Sequence, residues 1–91
     1  MAAFVYVLGC AEAGLTYVGW TNDLDRRLAR HNAGVGAKST RGRVWRLLYA
    51  ERCESQRAAM SREWTLKRDR AFRAHLRLNA FPRSDPPANR R

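Results

Sequence analysis

Apolar residues alternate in two sets over Ala3 to Cys10, with Val5 and Val7 on one side and Phe4, Tyr6 and Leu8 on the other. A strand that is apolar on both faces belongs in the middle of a sheet, covered above and below. Ala11 to Gly14 supplies a short turn, and Leu15 to Gly19 reads as a second strand that closes a β-hairpin. Thr21-Asn22-Asp23 offers N-cap residues for a helix running to about Asn32, with Gly34 as its stop. Gly34 to Arg43 holds three glycines and reads as a loop, and Val44 to Glu51 as a third strand. Ser55 to Lys67 and Asp69 to Asn79 have helical periodicity, the latter turning Phe72 and Leu76 toward the core. The order β-β-α-β-α-α predicts an α+β domain, with a small three-stranded, largely antiparallel sheet flanked by about three helices.

The length of 91 residues leaves room for one domain. A chain of this size buries only about 60–65% of the surface it exposes when unfolded, which disfavours a deep cofactor cavity. Phe81 to Arg91 holds all three prolines and ends in Asn-Arg-Arg, so residues 1–80 form the expected domain and 81–91 a mobile basic tail. The apolar run from Ala2 to Ala11 falls short of the roughly 20 residues that span a bilayer and has no basic leader. With only Cys10 and Cys53, neither at metal-ligand or redox spacing, the expectation is a pair of buried thiols in a reducing cytoplasm.

Charge changes the picture. Eighteen Lys and Arg stand against eight Asp and Glu, a formal net charge of +10. All but Lys38 and Lys67 of these cations are Arg, whose planar fork suits phosphate oxygens. Nucleic acid is the polyanion this favours over a membrane surface, because no stretch joins a clean apolar face to a basic one. Arg26, Arg30, Lys38, Arg41 and Arg43 are the phosphate-contact candidates, each weighed against a merely solvated charge. Trp20, Trp45 and Trp64 have rings that stack on bases, but core packing is the expectation for Trp45 and Trp64. Gly34-Val35-Gly36 is too brief for a nucleotide cradle.

Two helices carry polar groups inside apolar stripes. In the first, Leu24, Leu28 and His31 follow helical spacing, with Arg27 within the stripe. In the second, Ala59, Met60, Trp64 and Leu66 mark the inward side, with Glu63 among them. A buried carboxylate or guanidinium is costly unless paired. Three readings stay open: Arg27 and Glu63 meet over a shared site, they form a structural ion pair, or they sit at edges open to water. Tyr6 and Tyr17, on paired strands, bring two hydroxyls near each other or simply fill the core. Together with His31 these residues compose a set suited to phosphoryl transfer.

The sequence resembles the GIY-YIG nuclease superfamily. Val5-Tyr6 is similar to its first signature, with Phe4 where many members have Gly, and Tyr17-Val18-Gly19 to its second, eleven positions on. Arg27 falls where the family has a catalytic arginine, His31 follows one turn later, and Glu63 in Ser61-Arg62-Glu63-Trp64 is similar to its metal-binding glutamate. The segment His31 to Gly42 is similar to the small stand-alone bacterial members and to the nuclease domain of the endonuclease that cuts branched DNA, although Ser39 replaces a frequent aromatic. The resemblance implies hydrolysis of phosphodiester bonds. Glu63 would hold Mg²⁺ or Mn²⁺, Arg27 would grip the scissile phosphate, and a tyrosine, Tyr17 before Tyr6, would take the proton from water. His31 would bond to the base or to phosphate. The implied partner is DNA, selected by structure rather than by sequence, in a monomer acting in repair or recombination beside a repair protein. The rival readings are a non-catalytic nucleic-acid-binding module or adaptor on the same fold, and a basic RNA-associated protein.

Overall fold

The computed structural model describes residues 2–81, and the fold follows from where the two apolar sets of the first strand go. The elements are β1 (Ala3–Cys10), β2 (Leu15–Thr21), α1 (Leu24–Asn32), a single 3₁₀ turn at Lys38–Thr40, β3 (Arg46–Cys53), α2 (Gln56–Arg68) and α3 (Arg70–Ala80). The sheet order is β2-β1-β3, so the doubly apolar strand is central, and both pairings are antiparallel. Tyr6 lies opposite Gly19 and Leu8 opposite Tyr17, which puts both tyrosines on one face at diagonal positions. On the other side, Val7 pairs with Tyr49 and Leu8 with Leu47, leaving Leu48 as the extra residue of a β-bulge.

Each face of β1 builds its own core. Val5, Val7 and Val18 pack with Leu66 of α2, and Leu48, Tyr49, Cys53 and the α3 residues Phe72 and Leu76 close around them. Tyr6, Leu8 and Cys10 pack with Trp45 on the opposite face, joined by Tyr17 and by Leu24 and Leu28 of α1. The helices start on side-chain caps: Asp23 accepts from the Arg26 N–H at 3.1 Å, Ser55 from Ala58 at 3.0 Å and Asp69 from Phe72 at 3.1 Å. Gly34, at a φ of +80°, ends α1 in the left-handed region where glycine is unstrained.

Several sequence expectations are corrected. Met60 and Trp64 were expected to face inward, yet they are 50% and 63% exposed, because α2 turns Ala59 and Leu66 toward the sheet instead. Trp64 is therefore not a core residue, whereas Trp45 is buried at 4%. Arg27 does not share the buried stripe of α1; it is exposed while His31 is buried. No Arg27–Glu63 ion pair forms among the described residues: Glu63 Oε2 is 2.9 Å from Lys67 Nζ, one turn further along α2. The third strand begins two residues later than its β-formers suggest, since Val44 is 74% exposed and Trp45 is held apart as an anchor. Cys10 is buried but Cys53 only partly so. Phe81, assigned above to a mobile tail, lies against Gly9 and beneath the Arg46 guanidinium; the rest of that tail lies outside the described residues.

The segment between α1 and β3 is tied down by Asn32. Its side-chain amide donates to the Trp45 carbonyl at 3.1 Å, and its oxygen accepts the Trp45 N–H at 2.6 Å. The Trp45 indole N–H in turn donates to the Thr40 carbonyl at 2.9 Å. Asn32→Ala would leave both buried backbone groups of Trp45 without these partners, so unfolding free energy should drop by about 1–3 kcal/mol. Urea denaturation checks this, and an unchanged midpoint would mean that Trp45 packing alone fixes the segment.

Candidate active site

The Tyr6 face of the hairpin meets the C-terminal end of α1 at a buried imidazole. His31 is 1% exposed, with Nε2 3.0 Å from the Tyr6 hydroxyl and Nδ1 2.8 Å from Thr40 Oγ1. The direction of this chain follows from its far end. The Ala37 carbonyl can only accept, so the Thr40 hydroxyl, 2.8 Å away, donates to it. Thr40 Oγ1 then accepts from His31 Nδ1–H, which leaves Nε2 bare to accept the Tyr6 hydroxyl proton. This requires a neutral ring. Burial lowers the His31 pKa, and the Arg27 and Arg30 guanidiniums lower it further.

Tyr6 is likewise held neutral. Its phenol pKa is raised first by burial, then by the neighbouring Tyr17 and by Glu63, while Arg27 acts the other way. Residues from β1, β2, α1 and α2 thus act on one hydroxyl. The Tyr17 ring lies 4.8 Å from the His31 ring and 6.3 Å from that of Tyr6. Tyr17 is half-buried, and its hydroxyl has no hydrogen-bond partner among the described residues. Tyr6 therefore gives its proton inward, and Tyr17 is the more open of the two phenols.

Two glycines make the room. A Cβ on Gly19 would stand 2.6 Å from the Tyr6 hydroxyl, and one on Gly36 would stand 2.6 Å from His31 Nδ1. Both distances are shorter than van der Waals contact, so each position admits the neighbouring polar atom only as glycine.

The cations and the carboxylate form the rim. Arg27, Arg26 and Arg30 line, with Thr21, Asn22 and Asp23, an open cleft of about 380 Å³. Arg30 also donates to the Val35 carbonyl at 3.1 Å, whereas the Arg27 guanidinium has no hydrogen bond or ion pair among the described residues. Lys38, Arg41 and Arg43 are exposed on the following segment, outside that cleft. Glu63 has a side chain 20% exposed, paired with the more open Lys67. A pair spaced one turn apart on a helix with one open partner is held weakly, so this carboxylate is available to another cation. Among the described residues no three His, Cys, Asp or Glu side chains form a metal cage. Glu63 fits a divalent cation only as a single carboxylate completed by water and phosphate oxygen, a donor set that Mg²⁺ accepts.

Tyr6, Tyr17 and His31 are in direct ring or hydrogen-bond contact, with Arg27 and Glu63 close enough to act on Tyr6 electrostatically. Sequence reasoning missed Thr40, Asn32 and the spatial role of Gly36. Thr40 lies nine residues from His31 across a glycine-rich loop, where no periodicity connects them.

A central strand and its hairpin partner thus carry a tyrosine pair on one face, with an arginine and a glutamate supplied from separate helices. The family model described as the GIY-YIG catalytic domain matches residues 2–75. The chain belongs to the GIY-YIG family. It is 48% identical over 66 residues to a UPF0213 protein of Clostridium perfringens, covering 71% of this chain and 70% of that one. It is 51% identical over 65 residues to a UPF0213 protein of Natronomonas pharaonis, covering 70% and 75%. Among solved structures it is similar to the solution NMR structure of a UPF0213 protein from Bacillus halodurans, with a TM-score of 0.50, 40% identity, and coverage of 84% of this chain and 82% of that one.

The buried imidazole makes stability depend on pH. Because the folded His31 pKa lies below its unfolded value, the unfolded chain takes up a proton that the folded chain refuses as pH falls through about 6.5. Tm should therefore decline from about pH 7.5 to about pH 5.5, above the carboxylate range. His31→Gln should flatten that decline, and an equally steep profile in the variant would place the titration elsewhere.

Proposed function

We propose that this protein is a divalent-metal-dependent endonuclease that hydrolyses phosphodiester bonds in structured or damaged DNA. The observation that carries the reading is the buried Tyr6–His31 hydrogen bond, with an exposed guanidinium, Arg27, close enough to act on both groups and a more open phenol, Tyr17, against their rings. An exposed guanidinium without a hydrogen bond or ion pair among the described residues is free to meet the charge of a phosphate in a transition state. The net charge of +10 supports a polyanionic partner, and family membership supports nuclease chemistry.

Each residue then has a distinct task. Arg27 binds the scissile phosphate and offsets the charge that develops on it. Tyr17, the more open phenol, takes the proton from the attacking water. Tyr6 stays protonated, fixed by His31, and positions Tyr17 through ring contact. Glu63 would hold Mg²⁺ or Mn²⁺, which when bound would supply Lewis-acid stabilisation of phosphate oxygen. Arg26 and Arg30, lining the cleft with Arg27, and Lys38, Arg41 and Arg43 on the adjoining segment, contact flanking phosphates.

Cleavage of labelled duplex, flap, junction and single-stranded DNA tests this reading. The parent should cut with Mg²⁺ or Mn²⁺ and stop on chelation. Arg27→Ala should lower the rate by about 10²- to 10³-fold, as the loss of one transition-state donor does, and Tyr17→Phe should lose more activity than Tyr6→Phe loses relative to its stability. Glu63→Gln should abolish cutting while leaving binding intact or tighter, because a negative charge near phosphate is gone. Tight binding without cutting by the parent would replace the enzyme with a nucleic-acid-binding module.

A further inference from the structure

The exposed side of α2 carries an aromatic surface that the hydrolytic site does not use. Trp64 is 63% exposed and Met60 50% exposed, although the helix has a buried side available to them in principle. The Arg68 guanidinium lies over the Trp64 ring, 4.6 Å from its centroid. Around the helix, moving outward from half-buried Glu63, the sequence spacing places Lys67, Met60, Trp64, Arg57 and Arg68 in succession. Lys67, Arg57 and Arg68 are all exposed, and no acidic residue interrupts this side.

We infer that Trp64, with Arg68 stacked upon it, is a platform for an unpaired base of the strand that enters beside Glu63. The inference rests on the nucleic-acid reading above and extends it from phosphate contact to base contact. A flat indole or guanidinium stacks on any base irrespective of sequence, and a base in a paired duplex does not offer its face. The flanking cations complement a backbone on either side of such a base. Two apolar residues bracketed by three cations are a poor match for a second copy of the same basic chain, which would bring like charges together. Trp64 is the residue next to Glu63, and Met60 and Lys67 lie one turn from it on either side, so an unpaired base held there would place the junction of paired and unpaired strand at the site of hydrolysis. That is a physical route to structural selectivity.

The test is equilibrium binding of fluorescently labelled oligothymidylate and of a blunt duplex of equal length, in chelator, with the parent, Trp64→Ala and Trp64→Phe. Trp64→Ala should weaken oligothymidylate binding by roughly 5- to 100-fold, the loss of one stacked base. Duplex binding should change less than about twofold, and the salt dependence on both ligands should be unaltered, because no charge is removed. Trp64→Phe should retain most of the affinity but lose the quenching of tryptophan emission that the parent shows on binding. Equal losses on both ligands, or none on either, overturn the platform. So does sedimentation showing that the parent is a dimer and Trp64→Ala a monomer, since a second copy would then cover the face. No cutting enters this measurement: stacking through Trp64 in a protein that never cleaves would defeat the enzyme reading and sustain the platform, and the reverse result would do the opposite.

Discussion

The arrangement depends on a single buried hydrogen-bond chain, from the Tyr6 hydroxyl through His31 and Thr40 to the Ala37 carbonyl. An imidazole and two hydroxyls cannot be buried cheaply unless each donor meets an acceptor. Here the ledger of donors closes only one way, because the terminal acceptor is a carbonyl with no proton to give. The chain therefore fixes the His31 tautomer and the orientation of the Tyr6 proton together. It also ties β1, α1 and the 3₁₀ turn to one another, and the Asn32–Trp45–Thr40 bonds close the same loop from its other end. Glycine at positions 19 and 36 is a consequence, since a methyl group at either would displace a member of the chain.

Fixing the interior as neutral sorts the charges to the outside. Burial, and then the guanidiniums of Arg27 and Arg30, oppose a proton on His31, and burial opposes ionisation of Tyr6, so neither group pairs with the rim charges. Arg27 has no hydrogen bond or ion pair among the described residues, and Glu63 pairs with a lysine whose side chain is 55% exposed. A rim built this way binds an anion without breaking a strong internal pair. By contrast, the Glu51–Arg62–Tyr49 cluster on the far side is internally satisfied: Glu51 accepts from both Tyr49 and Arg62, at 2.7 and 3.0 Å. Its carboxylate pKa is lowered by those same bonds. That contrast separates a structural polar cluster from one with unspent capacity.

The fold was legible because its signals were local. The doubly apolar β1, the cap candidates Thr21-Asn22-Asp23 and the Gly34 stop each act within a few residues, and Phe72 and Leu76 followed from helical spacing. The tyrosine pair was legible from hairpin pairing alone. What escaped were facts of rotation and of long contact. Helical spacing places Ala59, Leu66, Met60 and Trp64 on a broad apolar arc, and only the sheet decides which part of that arc is covered; it chose the side with the smaller residues. Arg27 looked inward because its neighbours in spacing are Leu24 and Leu28, yet these are only half-buried and the inward limit of the helix is His31. Thr40 was invisible because a loop residue has no period, and its partner lies on the preceding helix.

The half-covered arc of α2 bears on how so small a domain could discriminate among nucleic acids. At this length the described residues build two thin cores on one three-stranded sheet, so under the proposed function a nucleic acid would be recognised on open surfaces. Cations alone cannot tell one duplex from another, because every duplex presents the same phosphates. Turning Trp64 inward would have added buried apolar area, roughly 1.5–3 kcal/mol for a large side chain, to a protein with little core to spare. The helix instead spends its small residues on the sheet and leaves its largest ring in water beneath an arginine. A side chain placed against its own packing interest, next to a charged rim and on the helix that bears Glu63, is better explained by contact with a flat ligand than by the stability of the fold.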